Sequence, residues 1–291
     1  MTPDNNIDEI INKIHCGNCV EVMKDIPDDS IDLVVTSPPY DNLRDYEGYE
    51  FDFKSIGKEL YRVIKKGGVV VWVVGDATID NSETGSSFRQ ALFFKKIGFN
   101  LHDTMIWEKN SFAFPSHTRY HQTFEYMFIF SKGKPKSFSP ISDRENIETR
   151  MSTGMSGRNT DGSRRVGRKT KEETKLNKYG MRFNIWKYTI GGGHNTKDKC
   201  AYTHPAIFPE QLAKDHILSW SNKGDLVLDP MCGSGTTCKM AKKLNRHWIG
   251  IDISQDYCDI ARERLECTSA SHKLDDFIDF DDNKKFEEFL E

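Results

Sequence analysis

The chain has 291 residues, of which 37% are hydrophobic and 29% charged, with a formal net charge of −3. This balance is typical of a globular protein, and the length allows one large α/β domain with an insertion or two small domains. No window has the apolar length of a membrane span, and residues 1–6 lack the pattern of a signal peptide. We therefore expect an intracellular, cytoplasmic protein with no membrane partner.

The cysteines argue against a disulfide framework. There are seven, an odd number scattered along the chain, which fits reduced thiols better. Cys16 and Cys19 have the spacing of a zinc or redox pair, but no second pair with suitable spacing follows. We therefore predict no metal site.

The charges are unevenly distributed. Residues 144–199 contain 14 Lys and Arg against 6 Asp and Glu, whereas residues 266–291 contain 3 against 9. The middle segment is expected to attract polyanions and the C-terminal segment to repel them. A solvated surface or a disordered segment is the alternative interpretation of each.

Strand and helix patterns alternate along most of the chain. Apolar runs predict buried strands at 31–35, 68–74, 101–107, 123–130, 225–229 and 247–252. Helical patterns occupy 87–96, 209–220, 236–244 and 255–265. A segment rich in Gly, Ser, Thr, Arg and Lys begins at residue 132 and predicts a loop-rich insertion. Because the α/β alternation resumes afterwards, we predict one Rossmann-like, doubly wound, mostly parallel sheet.

A Pro-Pro-Tyr motif follows the first predicted strand. Ser37, Pro38, Pro39 and Tyr40 combine a small hydroxyl, two backbone carbonyls without local N–H competitors, and a flat ring. Such a group suits a planar ligand whose edge donates hydrogen bonds. A strand end followed by a polyproline turn is the simpler interpretation.

A glycine-containing turn follows the predicted strand that ends at Asp229. It opens a helix, as the ligand-binding turns of dinucleotide-type folds do, but it lacks the Gly-Lys-Ser/Thr of a P-loop and the third glycine of the pyrophosphate fingerprint. Asp252 lies 19 residues after Gly233, the spacing of a carboxylate that binds ribose hydroxyls, although a helix N-cap is possible. A ligand with a ribose and a cationic centre fits this turn better than a phosphate.

Together these motifs resemble the S-adenosyl-L-methionine-dependent amino-methyltransferases of DNA, in the motif order of their β group. The resemblance extends over most of the chain and includes Cys16-Gly17-Asn18, Lys66-Gly67-Gly68, Trp107 to Asn110, Glu125-Tyr126, Asn184-Ile185-Trp186 and His204 to Pro209. It implies a catalytic motif made of Ser37, Pro38, Pro39 and Tyr40. The cofactor-binding residues that it implies are Asn18, Phe208, Asp229, Pro230, Met231, Cys232, Gly233, Ser234, Gly235, Thr236, Thr237 and Asp252. Asn18, Met231 and Asn184 depart from the residues common in the family.

The resemblance also implies the reaction, which is methyl transfer from S-adenosyl-L-methionine to the exocyclic amine of a flipped base in double-stranded DNA. Ser37 favours N4 of cytosine, because relatives with Asp at this position tend to modify N6 of adenine. A hydroxyl accepts a hydrogen bond from either amine, so adenine stays the alternative. An RNA or protein amino-methyltransferase, a nucleic-acid-binding module without catalysis and a nicotinamide oxidoreductase are more distant alternatives.

The same resemblance divides the chain into functional segments. Residues 1–131 would form the catalytic half of the methyltransferase domain, 132–182 a basic target-recognition insertion, 183–266 the cofactor-binding half and 267–291 an acidic tail. DNA contacts are expected from Arg164, Arg165, Arg168 and Lys169. We expect a prokaryotic or phage-encoded monomer or homodimer associated with the nucleoid, with a cognate restriction endonuclease as a further partner.

Overall fold

The computed structural model describes residues 7–39, 51–112, 117–146, 159, 161–163, 177–191, 193–204 and 206–270, with residues 269 and 270 described by their backbone alone. Its strands are β1 (Lys13–Cys16), β2 (Ile31–Thr36), β3 (Ile64–Val74), β4 (Thr78–Ile79), β5 (Ser82–Glu83), β6 (Asn100–Lys109), β7 (Phe124–Ser131), β8 (Arg144–Glu145), β9 (Tyr179–Gly180), β10 (Ile185–Tyr188), β11 (Leu226–Asp229) and β12 (His247–Asp252). Its helices are α1 (Cys19–Met23), α2 (Phe53–Val63), α3 (Ser86–Lys96), α4 (Glu210–Trp220), α5 (Thr236–Lys243) and α6 (Gln255–Ala270).

Eight strands form the central sheet, in the order β1-β12-β11-β2-β3-β7-β6-β10. β7 runs antiparallel to β3 and β6, and the other neighbours in this sheet are parallel. Leu33 of β2 pairs with Val227 of β11, and Lys13 of β1 pairs with Ile249 of β12. Early and late parts of the chain therefore lie side by side, and the predicted mostly parallel α/β sheet is confirmed.

Apolar residues on both faces of the sheet explain its layers. Alternate residues of β3 belong to two different hydrophobic clusters, one on each face. One cluster includes residues of α4, α5 and α6, and the other includes residues of α1, α2 and α3. Strands covered on both faces require nearly continuous apolar sequences, which is why β2 and β3 were recognisable from composition.

The structure adds elements that the sequence patterns did not predict. These are strand β1, helices α1 and α2, edge strand β10, and the short strands β4, β5, β8 and β9. Within the segment 132–182, β8 pairs with β9 through Arg144 and Gly180, and most of the residues between them lie outside the described part of the chain. The residues of the predicted acidic tail from 271 onward also lie outside it. None of the described helices has the length and apolar character of a bilayer-spanning segment.

The sheet brings the ends of distant strands to one edge. β2 ends at Thr36, β6 at Lys109, β11 at Asp229 and β12 at Asp252. The antiparallel strand β7 begins beside them at Phe124. Ligands of doubly wound sheets bind outside this edge, so the loops that follow these strands are positioned to form a site.

Candidate active site

A cleft of about 490 Å³ lies at this edge of the sheet. Its volume is within the range of small-molecule sites in proteins. The predicted site residues that line it are Asn18, Ser37, Pro38, Pro39, Phe208, Pro230, Met231, Cys232, Gly233, Ser234, Thr236 and Asp252. The Pro-Pro motif and the glycine turn therefore share one cleft. Tyr40, Arg164, Arg165, Arg168 and Lys169 lie outside the described residues.

Asp229 connects the Pro-Pro motif to the glycine turn through buried hydrogen bonds. It is 1% exposed, and its Oδ1 accepts hydrogen bonds from the Thr36 hydroxyl at 2.7 Å and from the Met231 N–H at 3.3 Å. Burial raises the pKa of Asp229 from 3.8 to about 7. Asp229 does not line the cleft. Through its hydrogen bonds to Thr36 and Met231, it holds the end of β2 against the glycine turn.

Asp229→Asn is expected to remove part of the pH dependence of stability. The folded protein keeps the Asp229 proton up to about pH 7, whereas the unfolded chain releases it near pH 3.8. This contribution to stability is complete below the unfolded pKa and is lost as the pH rises through the folded pKa. Relative to the variant, the wild-type free energy of unfolding should fall over this window by at most about 1.4 kcal/mol per pH unit. Denaturant titrations across the window measure the difference, and a constant difference would contradict the assignment.

Asp252 and Gly233 line the cleft at the end of β12. The Gly233 N–H donates to Asp252 Oδ2 at 2.8 Å, and the Ser254 N–H donates to Oδ1 at 3.0 Å. Burial raises the pKa of Asp252 above its ordinary value. Each carboxylate oxygen can accept a further hydrogen bond, so the backbone contacts leave Asp252 able to bind hydroxyl groups of a ligand.

The Gly233 backbone lies directly under the ring of His204. Its φ is +48°, and a Cβ at this position would lie 2.6 Å from His204 Nε2. A side chain would therefore push the His204 ring outward and strain the backbone. His204 and Tyr257, whose rings are 4.3 Å apart, both line the cleft, although only the first lay within a motif noted in the sequence.

Gly235 and Thr237 are placed behind the cleft. A Cβ on Gly235, whose φ is +76°, would lie 2.8 Å from the Ala261 Cβ, so glycine allows α6 to approach the turn. The Thr237 hydroxyl donates to the Val35 carbonyl at 3.0 Å. Neither residue lines the cleft. Their contacts support the turn. Thr237 holds it to β2, and Gly235 allows α6 to approach it.

A buried charge network supports the same turn. Arg264 is fully buried, and its Nη1 donates to the Ser234 carbonyl at 2.6 Å, to the Ser234 hydroxyl at 3.0 Å and to the Thr236 hydroxyl at 3.1 Å. Its other nitrogens donate to Asp198 at 2.9 Å and to Glu210 at 2.8 Å. Lys239 pairs with the same two carboxylates. The network fixes the turn against α4 and α6.

Two thiols line the cleft, and both are held in the protonated form. Burial raises the pKa of Cys19 to about 12. A hydrogen bond with Cys238, together with burial, raises the pKa of Cys232 well above its ordinary value. The thiolate is the nucleophilic form of cysteine, so neither side chain is prepared for nucleophilic attack. In the described part of the chain, no group of three or more His, Cys, Asp or Glu side chains could hold a metal ion.

The far end of the cleft is formed by β6 and β7. Trp107, Lys109 and Glu125 line it, and Lys109 forms an ion pair with Glu125. The Lys109 Nζ lies 5.3 Å from the centroid of the Trp107 ring. The sequence could not place Lys109 and Glu125 at the cleft, because their position depends on the antiparallel strand β7 lying between β3 and β6.

Residues 31–263 match the model of the N6/N4 DNA methylase family, and the chain belongs to this family. The orphan methyltransferase M.BamHII of Bacillus amyloliquefaciens is 58% identical over 252 residues, which are 86% of this chain and 94% of that protein. The type II methyltransferase M.HpaI of Haemophilus parainfluenzae is 28% identical over 267 residues, covering 87% of this chain and 74% of that protein.

Solved structures share the fold. The PvuII DNA methyltransferase, described as cytosine-N4-specific, has a TM-score of 0.63 at 21% identity and covers 88% of this chain and 89% of its own. A protein of Thermus thermophilus, solved in complex with S-adenosyl-L-methionine, has a TM-score of 0.58 at 22% identity and covers 89% of this chain and 96% of its own.

The family assignment confirms the expected class of enzyme. The chain is a DNA methyltransferase, its substrate is DNA, and its methyl donor is S-adenosyl-L-methionine. The nicotinamide oxidoreductase, the RNA or protein methyltransferase and the module without catalysis are therefore set aside.

Proposed function

We propose that the protein transfers a methyl group from S-adenosyl-L-methionine to the exocyclic N4 amine of a cytosine flipped out of double-stranded DNA. The observation that supports this most directly is the shared cleft. Ser37 and Pro38 line it together with Gly233 and Asp252, so the proposed acceptors of the amine and the proposed nucleoside-binding residues share one cleft.

The hydrogen-bond acceptors beside the glycine turn fit this cofactor. Asp252 and Asp256 both line the cleft, and their carboxylates suit the hydroxyls of a ribose and the positive charge of a sulfonium. Gly233 adds no side chain where a ligand approaches the backbone. We propose that these residues, with Asn18, Phe208 and the remainder of the turn, hold S-adenosyl-L-methionine, which supplies an electrophilic methyl group when bound.

The Pro-Pro loop would prepare the base for reaction. An exocyclic amine is a weak nucleophile because its lone pair is delocalised into the ring. Hydrogen bonds from both amine hydrogens to the Ser37 hydroxyl and the Pro38 carbonyl favour a pyramidal nitrogen whose lone pair faces the cofactor side of the cleft. Ser37 is not a strong base at neutral pH, so the proton leaves the nitrogen after methylation.

Access to the amine requires base flipping, because the duplex buries this edge of the base. Flipping costs a few kcal/mol, which stacking on Tyr40 would partly offset. The protonated thiols of Cys19 and Cys232 support amine methylation over attack at carbon 5, which would need a cysteine thiolate.

The choice of cytosine rests on Ser37. The Ser-Pro-Pro-Tyr motif is associated with N4-cytosine enzymes, and the PvuII enzyme, which shares the fold, is described as cytosine-N4-specific. Adenine is the second candidate, since a hydroxyl accepts equally from its N6 amine.

The decisive experiment supplies labelled S-adenosyl-L-methionine and unmethylated DNA of mixed sequence, followed by digestion to nucleosides and mass analysis. We expect labelled N4-methylcytosine. Labelled N6-methyladenine would support amine methylation and would overturn the proposal that cytosine is the target base. No label on DNA would overturn the proposed function.

We propose that residues 132–182 recognise the target sequence through phosphate and base contacts. Replacing Arg164, Arg165, Arg168 and Lys169 by Ala should weaken DNA binding and reduce the slope of log K against log salt by about 0.9 for each phosphate that is no longer neutralised. Fluorescence anisotropy at several salt concentrations measures this slope. An unchanged slope would remove these residues from the DNA interface.

We further propose that the enzyme acts in the bacterial cytoplasm as a monomer or homodimer. Relatives include an orphan methyltransferase and type II methyltransferases. A cognate restriction endonuclease is the partner that a type II enzyme would have, and an endonuclease encoded beside this chain would support it.

A further inference from the structure

The ion pair between Lys109 and Glu125 occupies an unusual place for two charges. Lys109 is the last residue of β6, and Glu125 lies next to the start of β7. Their side chains are only 20% and 11% exposed, and both line the cleft. The Trp107 ring, itself 5% exposed, adjoins the ammonium. The pair thus forms a charged wall at the end of the cleft opposite the cofactor turn.

Stability alone is a weak reason for this arrangement. Removing two charges from water costs about as much free energy as their attraction returns, so a buried ion pair contributes little net stability. The adjacent residue Glu108 shows the ordinary case, since it pairs with Lys187 at the surface, with exposures of 40% and 74%. The Lys109–Glu125 pair, by contrast, is mostly withdrawn from solvent and lines the cleft, where a ligand can contact it.

The Lys109 ammonium has N–H groups that Glu125 does not use. A lysine carries three N–H groups, and within the described residues the hydrogen-bond partner of Lys109 Nζ is Glu125. Glu125 holds one of them, which leaves two for a ligand. A ligand that enters this end of the cleft would therefore meet a positive donor whose direction is fixed by Glu125 and Trp107.

A flipped cytosine needs such a donor. Outside the duplex its amine can bond to Ser37 and Pro38, but its ring N3 and its O2 lose their partners, and unpaired polar atoms in a closed site are costly. β6 is three strands from β2 in the sheet, so their ends are roughly 14 Å apart at about 4.8 Å per strand. That interval accommodates one base between the side chains of Ser37 and Lys109.

We propose that Lys109 donates hydrogen bonds to the ring acceptors of the flipped base, and that Glu125 positions its ammonium. This inference rests on the proposed function. It also gives the enzyme a means to choose its base, because cytosine presents two acceptors, N3 and O2, beyond its amine. Adenine presents N1 followed by a C–H, so it satisfies the ammonium less well.

Three variants separate this role from a structural one. Lys109→Met removes the donors. Lys109→Arg retains them. The double variant Lys109→Glu with Glu125→Lys keeps an ion pair but moves the cation to the other strand. Lys187→Met is the matched control, because it removes the exposed lysine of the neighbouring pair. Each protein is assayed for cofactor affinity by calorimetry, thermal unfolding, and methylation rate on unmethylated DNA of mixed sequence.

We expect Lys109→Met to bind S-adenosyl-L-methionine normally and to lose about 10- to 100-fold in kcat/KM for DNA, the range for removing one polar interaction with a base. Lys109→Arg should recover part of the rate, the reversed pair should not, and Lys187→Met should behave as wild type. Should Lys109→Met fail to fold, the double variant Lys109→Met with Glu125→Leu, which has no donor and leaves no unpaired carboxylate, replaces it with the same expectation.

Two results would overturn the inference while leaving the proposed function intact. They are wild-type rates in Lys109→Met, and full recovery by the reversed pair, which would show that any ion pair at this position suffices. If the wild-type protein transfers no label to DNA, the proposed function fails first, and the inference fails with it.

Discussion

Ser37→Ala is expected to lower kcat by about 100-fold or more, as the loss of a single positioned hydrogen-bonding group does in other enzymes. The hydroxyl would localise the lone pair of the amine, an effect needed in the transition state and not for binding the cofactor. Affinity for S-adenosyl-L-methionine should therefore stay within about twofold, since the Asp252 side of the cleft is unchanged.

Single-turnover methylation measures the chemical step directly, and calorimetry measures the cofactor affinity. Ser82→Ala is the control, because Ser82 lies exposed in the β4–β5 hairpin away from the cleft. A Ser37→Ala protein that methylates at the wild-type rate would show that the Pro38 carbonyl alone orients the amine. Equal losses in rate and cofactor affinity would instead indicate that the loop had collapsed.

Arg264→Met is expected to reduce the free energy of unfolding by about 3 kcal/mol or more. The guanidinium donates hydrogen bonds to Asp198, Glu210 and the Ser234 carbonyl, and its removal takes one cationic partner from each carboxylate and a donor from the carbonyl. Lys239 still pairs with both carboxylates, which limits the loss. The melting temperature should fall by roughly 6–12 °C, and the affinity for S-adenosyl-L-methionine should fall with it, because Ser234 lines the cleft.

Arg262→Met on the same helix provides the comparison. The Arg262 side chain is 40% exposed, pairs with Asp259 at the surface and donates to the Ile14 carbonyl at 3.0 Å, so its loss should cost about 1 kcal/mol, less than the loss of Arg264. Differential scanning calorimetry of both variants separates the buried network from a general effect of losing arginine in α6. If the two variants melt at the same temperature, the Arg264 network does not stabilise the turn.

The fold was largely predictable because its central strands are covered on both faces. β2, β3, β11 and β12 are nearly continuous apolar runs, which composition alone identifies. Two of the missed elements had weak signals: α1 has five residues, and β10 exposes Ile185 at the sheet edge. Helix α2 is different, because its apolar residues Ile56, Leu60 and Val63 recur at helical spacing among charged ones, so this element could have been recognised from the sequence.

The location of the candidate site was predictable from motifs of consecutive residues. The contacts that depend on packing were not. Ser37 to Pro39 and Asp229 to Thr237 follow strand ends, so their approximate location followed from topology. That Gly235 and Thr237 would lie behind the cleft depends on the approach of α6. Arg264 gave no signal, because an arginine in a helix ordinarily faces solvent, and its partners Asp198 and Glu210 are distant in sequence.

The pairing of β1 with β12 and of β2 with β11 limits how far the protein can fold while it is being synthesised. Lys13 pairs with Ile249, and Leu33 with Val227, so the partners in these pairs are roughly 200 residues apart. A ribosome releases the N-terminal strands first, and they must wait for partners made much later. During that interval the edges of β1 and β2 are unpaired and prone to aggregation. The contact between Gly233 and Asp252 therefore forms only when β12 has emerged, so we expect a nascent chain that lacks β12 not to methylate DNA.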